Sequence, residues 1–399
     1  MQPLPHRFAG GKARPVTRAS RSSFRGLALA AGALSLAAFG CSDPAPTAGY
    51  RWNLPSGMLP PAVPGDNPMS DAKVELGRFL FFDKRLSANG TQSCASCHDP
   101  AKAFTDGVAL PKGSTGTPLL RNAMTLTNVA YRSAYTWANP VLLTLEAQAL
   151  VPLTADAPVE LGFHLAQSAI VKRLQADARY VKLFAEAFPS EADPYTAPHV
   201  AQALASFERT IVSRDSPYDR FVYDRDPTAL SASAKRGMEA FFGEKLECYH
   251  CHAGQDLTDS MRTEATRGHS AHFENDGLYN VGNSGSYPEG NQGLREFTKR
   301  ATDDGKFRVP TLRNIALTAP YMHDGSIATL AEVVDMYAAG GRVLTSGPYA
   351  GDGRVHPQKS SFVRGFALTA DEKADLLAFL ESLTDEAFTR DPKLQDPFR

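Results

Sequence analysis

The sequence predicts a mainly α-helical protein made of two similar domains packed against each other, with few short strands. Three observations predict it. Apolar side chains recur at helical spacing in segments that begin on capping residues, runs of alternating apolar and polar residues are scarce, and an apolar helix followed by Cys-x-x-Cys-His occurs twice. The length of 399 residues suits two domains. A formal net charge of -1, from 42 basic and 43 acidic residues, gives no reason to expect nucleic-acid binding or a strong membrane-surface field.

In chain order, residues 1–40 read as an export signal. Arg14, Arg18, Arg21 and Arg25 precede an apolar run over 27–39 that is short for a membrane span. Gly40-Cys41 then resembles a bacterial lipoprotein processing site, where Cys41 becomes the lipidated first residue. Residues 41–67 are rich in Pro, Gly and Ala and read as a tether. Ser70 opens an apolar helical pattern that runs to residue 82. The same period spans 166–188 and 200–212. A boundary near 214–228, at Arg-Asp-Ser-Pro and Arg-Asp-Pro, separates an N-terminal domain (68–220) from a C-terminal one (221–399). Residues 230–242 lead to the second Cys pair much as 70–82 lead to the first, a weak duplication in two copies. Leu330 to Tyr337 has helical periodicity, and Thr369-Ala-Asp-Glu372 is a capping box opening a final helix over 373–383.

The chemistry lies in Cys94-Ala-Ser-Cys97-His98 and Cys248-Tyr-His-Cys251-His252. In a Cys-x-x-Cys-His sequence the two thiols form thioethers to haem vinyl groups and the His ligates iron, so two covalently attached haem c groups are expected. A pair of disulfides or a Cys/His zinc site would use the same residue types. The remaining histidines, His164, His199, His269, His272 and His356, show no partners in the sequence, and surface placement is the default for them. His250, inside the second motif, is expected to be exposed.

Around these motifs the chain resembles the MauG and bacterial di-haem cytochrome c peroxidase family over nearly its whole mature length. The matching stretches are Leu76-Gly-Arg-Phe-Leu-Phe-Phe-Asp-Lys-Arg-Leu-Ser87, Phe104-Thr-Asp106, Arg121-Asn122, Trp137, Leu145-Glu-Ala-Gln148, Pro158-Val-Glu-Leu-Gly162, Pro310-Thr-Leu-Arg-Asn314 and Ala319-Pro-Tyr-Met-His-Asp-Gly325. Thr136-Trp-Ala-Asn-Pro140, residues 146–152 and residues 364–369 are most similar to the MbnH-like branch. The resemblance implies a peroxide-reactive haem on His98. Relatives often place a second His in the Gly-rich loop after the first motif, but here Lys112-Gly-Ser-Thr-Gly-Thr117 has none, and no His occurs between His98 and His164. An iron with one vacant face is therefore expected, Met124 being the remaining side chain able to fill it. Glu160 falls at the family's distal acid position, where peroxide heterolysis needs proton transfer, and Gln148 at that of its amide neighbour. Trp137 matches a tryptophan between the haems that relays electron holes, although Ala-Asn-Pro follows it in place of the usual Asp-Gly-Arg.

The same resemblance implies a low-spin second haem. Its far-side ligand, fourteen residues beyond His323, falls on Tyr337, with Met336 next to it and Met322 as a further candidate. It also implies Ca2+ between the domains, held by the Asn122 side chain and the carbonyls of Thr318 and Pro320, oxygen donors that suit a hard cation. The function so implied is that of a periplasmic, lipid-anchored oxidoreductase. Hydrogen peroxide would raise the haem iron to a high-valent state, and a Trp of an exported copper-binding partner protein would be oxidised to kynurenine. Two alternatives stand beside it: a cytochrome c peroxidase that removes peroxide with a soluble electron donor, and a non-enzymatic di-haem electron carrier.

Overall fold

The computed structural model describes residues 50–55, 57–262 and 271–399. The export-signal reading of 1–40, the lipidation of Cys41, the tether up to residue 49 and His269 lie outside the described residues. Ser70 caps α1 (Asp71–Phe82), its hydroxyl accepting from Lys73 N–H, and one face of the helix is buried through Leu76, Gly77, Leu80 and Phe81. In the first half α4 (Ala178–Ala187) and α5 (Ala197–Glu208) pack on it, and α2 (Leu145–Thr154) packs on α5. The period over 166–188 does not give one helix. It breaks into α3 (Gln167–Gln175) and α4 because Asp177 turns extended and its side chain caps Arg179 N–H at 3.0 Å, competing with helix continuation.

The second half repeats the plan. A short α6 (Pro217–Val222) leads to α7 (Ala232–Phe241), which packs on α10 (Ala370–Glu381); α8 (Arg295–Thr298) and α9 (Leu330–Ala339) lie between them in sequence. The expected Thr369–Glu372 capping box is formed at α10. Among the described residues the strands are four two-residue pieces. β1 (Phe273–Glu274) pairs antiparallel with β2 (Phe307–Arg308), and β3 (Val343–Leu344) with β4 (Gly351–Asp352).

The duplication is visible in atomic contacts. A Cβ on Gly77 of α1 would lie 2.0 Å from the Ala203 carbonyl oxygen of α5, and one on Gly237 of α7 would lie 1.9 Å from that of Asp375 on α10. Both helix crossings are thus backbone-close and admit only glycine. Phe81 meets Phe207 at 5.2 Å between ring centroids, and Phe241 meets Phe379 at 5.1 Å. The same helix pair therefore braces each Cys-x-x-Cys-His segment.

The halves are joined by a buried polar core. Arg313 forks onto Asp219 with two 2.8 Å bonds and reaches Asp256 at 3.0 Å. Asn128 and Asn314, both with positive φ, bind Ser213 and, respectively, Asp256 and the Asp385 N–H. The C-terminal tail then returns to the first half, where Phe388 packs on Phe104 and the Pro392 and Gln395 carbonyls accept from Arg78.

Candidate functional site

Each Cys-x-x-Cys-His segment begins as a single 3-10 turn, Cys94–Ser96 or Cys248–His250, which places both thiols and the following His on one cavity wall. In both copies the imidazole Nδ1 donates to a backbone carbonyl, His98 to Phe104 at 2.9 Å and His252 to Leu257 at 3.1 Å. That bond fixes the tautomer and leaves Nε2 as the lone-pair nitrogen able to face a metal. Burial lowers the pKa of both rings, which keeps them in the neutral, ligating form.

The four cysteines are unpaired, so the disulfide alternative is not realised. Among the described residues no three His, Cys, Asp or Glu side chains converge as a metal cluster, so the zinc alternative has no geometry. Burial pushes the Cys97, Cys248 and Cys251 thiols up to about 12, and no cation stands by to favour a thiolate. These are thiols placed for covalent attachment rather than for redox or nucleophilic work.

The first cavity, about 420 Å³, is lined by Cys94, Cys97, His98, Gln148, Trp137 and Glu160. Glu160 lies on the loop after α2, and burial alone raises its carboxyl to about 7. Gln148 stands on α2, whose first turn is capped by Thr144. His98 is the one imidazole on this wall among the described residues. Met124 also lines the cavity, as it does the second one, and its sulfur accepts from Arg308 Nη2 at 3.8 Å.

The second cavity, about 230 Å³, is lined by Cys248, Cys251, His252, Met322, His323 and Tyr337. Tyr337, on α9, lines this cavity together with the attachment cysteines, and burial, then Asp276 and the Cys251 and Cys248 thiols, hold its hydroxyl well above its ordinary pKa. Met336, one position earlier, points away into the apolar cluster around Tyr287 and Tyr321 and is not a wall residue.

The two cavities share a partition formed by Asn122, Ala123, Met124, Arg132 and Trp137. Trp137 therefore contacts both spaces, and its indole N–H donates to the Asn122 carbonyl at 2.9 Å. Asn122 uses its side-chain N–H groups on the Val108 and Ala109 carbonyls, which leaves its amide oxygen free as a donor atom; Thr318 and Pro320 line the same second cavity.

Several functional-looking residues escape sequence reasoning. Glu208, at the end of α5, is buried on the first cavity wall with one carboxyl oxygen unpartnered and its pKa pushed up to about 8. Its signal was a charge closing an apolar helical face. Arg132 and Arg308 are buried beside the cavities and, among the described residues, make no ion pair. Their donors go mainly to backbone carbonyls, and Arg132 Nε has no partner. Burial lowers Arg132 to about 10 and holds Arg308 well below its ordinary value. Unpaired buried cations call for an anion, and haem propionates would supply it, so the residues present fit the group.

The surface default fails for several histidines. His356 is buried against Asn275 and Tyr287, and His272 is held between Asp259 and Glu274, whose two carboxylates raise it to about 10. His164 pairs with Asp156 at 2.8 Å, while His199 stacks on Phe188. His250 is half-buried, stacked at 4.1 Å on Phe362.

Two capped, histidine-anchored cavities on a shared wall define a protein built to carry two c-type haems. The model for the family described as di-haem cytochrome c peroxidase matches residues 71–227. The chain is 36% identical to the cytochrome-c peroxidase IdrP1 of Denitromonas iodatirespirans, over 92% of this chain and 96% of that one. It is 36% identical to the methylamine utilization protein MauG of Methylorubrum extorquens, over 81% of each. Among solved structures, a MauG-like protein associated with microbial copper homeostasis superposes with a TM-score of 0.85 at 48% identity, over 88% of this chain and all of that one. The chain belongs to the MauG and di-haem cytochrome c peroxidase family and is a peroxidase-type oxidoreductase. Among the described residues no helix is long and apolar enough to cross a membrane.

Proposed function

We propose that this is a periplasmic di-haem enzyme, lipid-anchored through Cys41, that uses hydrogen peroxide to oxidise an exported copper-binding partner protein, converting a Trp there to kynurenine. The observation that carries the reading is the first cavity, whose wall pairs one imidazole, His98, with a carboxyl raised to about 7, Glu160. The haem pair, when bound, supplies peroxide reduction and storage of two oxidising equivalents. Glu160 takes a proton from one peroxide oxygen and delivers it to the other, a task suited to a group that titrates near neutral pH. Gln148 orients the peroxide through its side-chain amide. Trp137, in contact with both cavities, passes electrons between them.

In the second half, His252 and Tyr337 are the residues that would hold the haem iron. Ca2+ is assigned to the Asn122 amide oxygen and the Thr318 and Pro320 carbonyls, a set of hard oxygen donors that waters complete. Residues 68–220 and 221–399 form the peroxide-reactive and low-spin domains. The 48% identity to a protein tied to copper homeostasis supports a copper-binding partner. The 36% identity to a cytochrome-c peroxidase supports a second reading, peroxide removal with a soluble donor.

The test is to add stoichiometric peroxide to the ferric holoprotein, record visible and near-infrared spectra, and then add an exported copper-binding protein of the same organism. The proposal expects a long-lived oxidised spectrum that decays on mixing, with kynurenine found in the partner by mass spectrometry. Rapid decay with reduced cytochrome c and an unmodified partner would instead establish the second reading.

A further inference from the structure

A line of tyrosines in the second half is left without a role by the peroxide chemistry. Tyr287 is buried behind the second cavity. Its ring lies 6.0 Å from that of the wall residue Phe307, and its hydroxyl donates to Asn275 Oδ1 at 2.9 Å. Tyr279 follows at 5.6 Å from Tyr287, and Tyr349 at 5.7 Å from Tyr279, both edge-on. Tyr349 sits on the turn between β3 and β4 and is 45% exposed. The rings thus run in van der Waals succession from the cavity wall to solvent.

Apolar packing alone would be served by phenylalanine at each place. The polar surroundings of Tyr279 say more. The Arg342 guanidinium stands 4.4 Å above its ring, which opposes any positive charge left there, so the ring can lose an electron only as its hydroxyl loses a proton. An acceptor is in place: the hydroxyl donates to Asp324 Oδ2 at 2.6 Å.

We propose that Tyr349 and Tyr279, bridged to the second cavity by Tyr287, carry electrons inward from a donor at the protein surface. The proposal rests on the peroxide reading above. Reducing one hydrogen peroxide to two waters takes two electrons and two protons; the protons come from solvent and the electrons from the line, which is used twice per peroxide. In each pass Tyr279 gives an electron through Tyr287 to the cavity while its phenolic proton shifts to Asp324. Tyr349 then reduces Tyr279, which recovers that proton, and Tyr349 releases its own to solvent. An outside one-electron donor restores Tyr349, which takes a proton back. Tyr287, whose hydroxyl donates to Asn275 Oδ1 at 2.9 Å and more distantly to Asp276 Oδ1 at 3.3 Å, bridges while keeping its proton.

The experiment uses full-length holoprotein carrying both haems. Peroxide is added without donor in the presence of a nitroso spin trap, haem spectra are recorded, and adducts are mapped by peptide mass spectrometry. Wild type should carry the adduct on Tyr349. Tyr279→Phe, which keeps the ring, should cut that adduct at least tenfold while the haem spectrum still responds to peroxide at the wild-type rate. Tyr349→Phe, at an exposed site with no fold to disturb, should abolish it. A normal spectral response with a Tyr349 adduct indifferent to Tyr279→Phe, or with none at Tyr349, overturns the relay alone. No spectral response in wild type overturns the peroxide reading and the relay with it.

Discussion

Replacing Glu160 with Gln should make the protein slower and more stable at once, and the size of the second effect follows from the site. Burial holds the Glu160 carboxyl at about 7 against an ordinary 4.5. Ionising it in the fold therefore costs roughly 3 kcal/mol more than in the unfolded chain. The folded-state value is the raised one, so this stability is fully present below pH ~4.5, is lost as pH rises to ~7, and stays lost above. Gln cannot ionise. Glu160→Gln should melt with wild type at pH 4 and be more stable by up to roughly 3 kcal/mol at pH 8. The same change should slow formation of the peroxide-derived species by about 10²–10⁴-fold, the usual worth of a positioned acid–base group. Thermal melts of both holoproteins across pH 4–8, paired with stopped-flow mixing with peroxide, read the two effects. Coincident melting curves would refute the buried carboxyl, and an unchanged rate would refute its proton-transfer role.

Other substitutions probe the frame and the second cavity. Gly237→Ala puts a Cβ 1.9 Å from the Asp375 carbonyl oxygen and should destabilise the fold by about 1–3 kcal/mol in chemical denaturation, as should Gly77→Ala in the first half. Arg313→Ala strands Asp219 and Asp256 in the buried joint and should cost about 3–5 kcal/mol by the same measurement. Tyr337→Phe should remove the low-spin electron paramagnetic resonance signal of the second haem, whereas Met336→Leu should leave it in place, because Met336 lies off the cavity wall.

The helices were legible because their signals are local: Ser70 and Thr369 each cap the helix that their hydroxyl chemistry announces. The Cys-x-x-Cys-His copies were legible for the same reason. The break at Asp177 was not, since an acidic residue in a periodic run reads equally as a solvent-facing turn of one helix. The roles of Gly77 and Gly237 depend on partner helices far away in sequence, and no local pattern carries them. His356 was lost likewise, because a histidine's burial is decided by what folds over it; His323, which the motif did single out, stacks on Phe307 at 3.7 Å, and its buried Nε2 has no partner. Glu208 stood in plain view on an apolar face, but only the fold turns that face toward the first cavity.

The most direct test of the open first site is electron paramagnetic resonance of the resting ferric holoprotein. One high-spin signal beside one low-spin signal is expected, since His98 alone would hold the first iron while His252 and Tyr337 would hold the second. Two low-spin signals and no high-spin component would mean that a second side chain fills the first site, and peroxide would have nowhere to react.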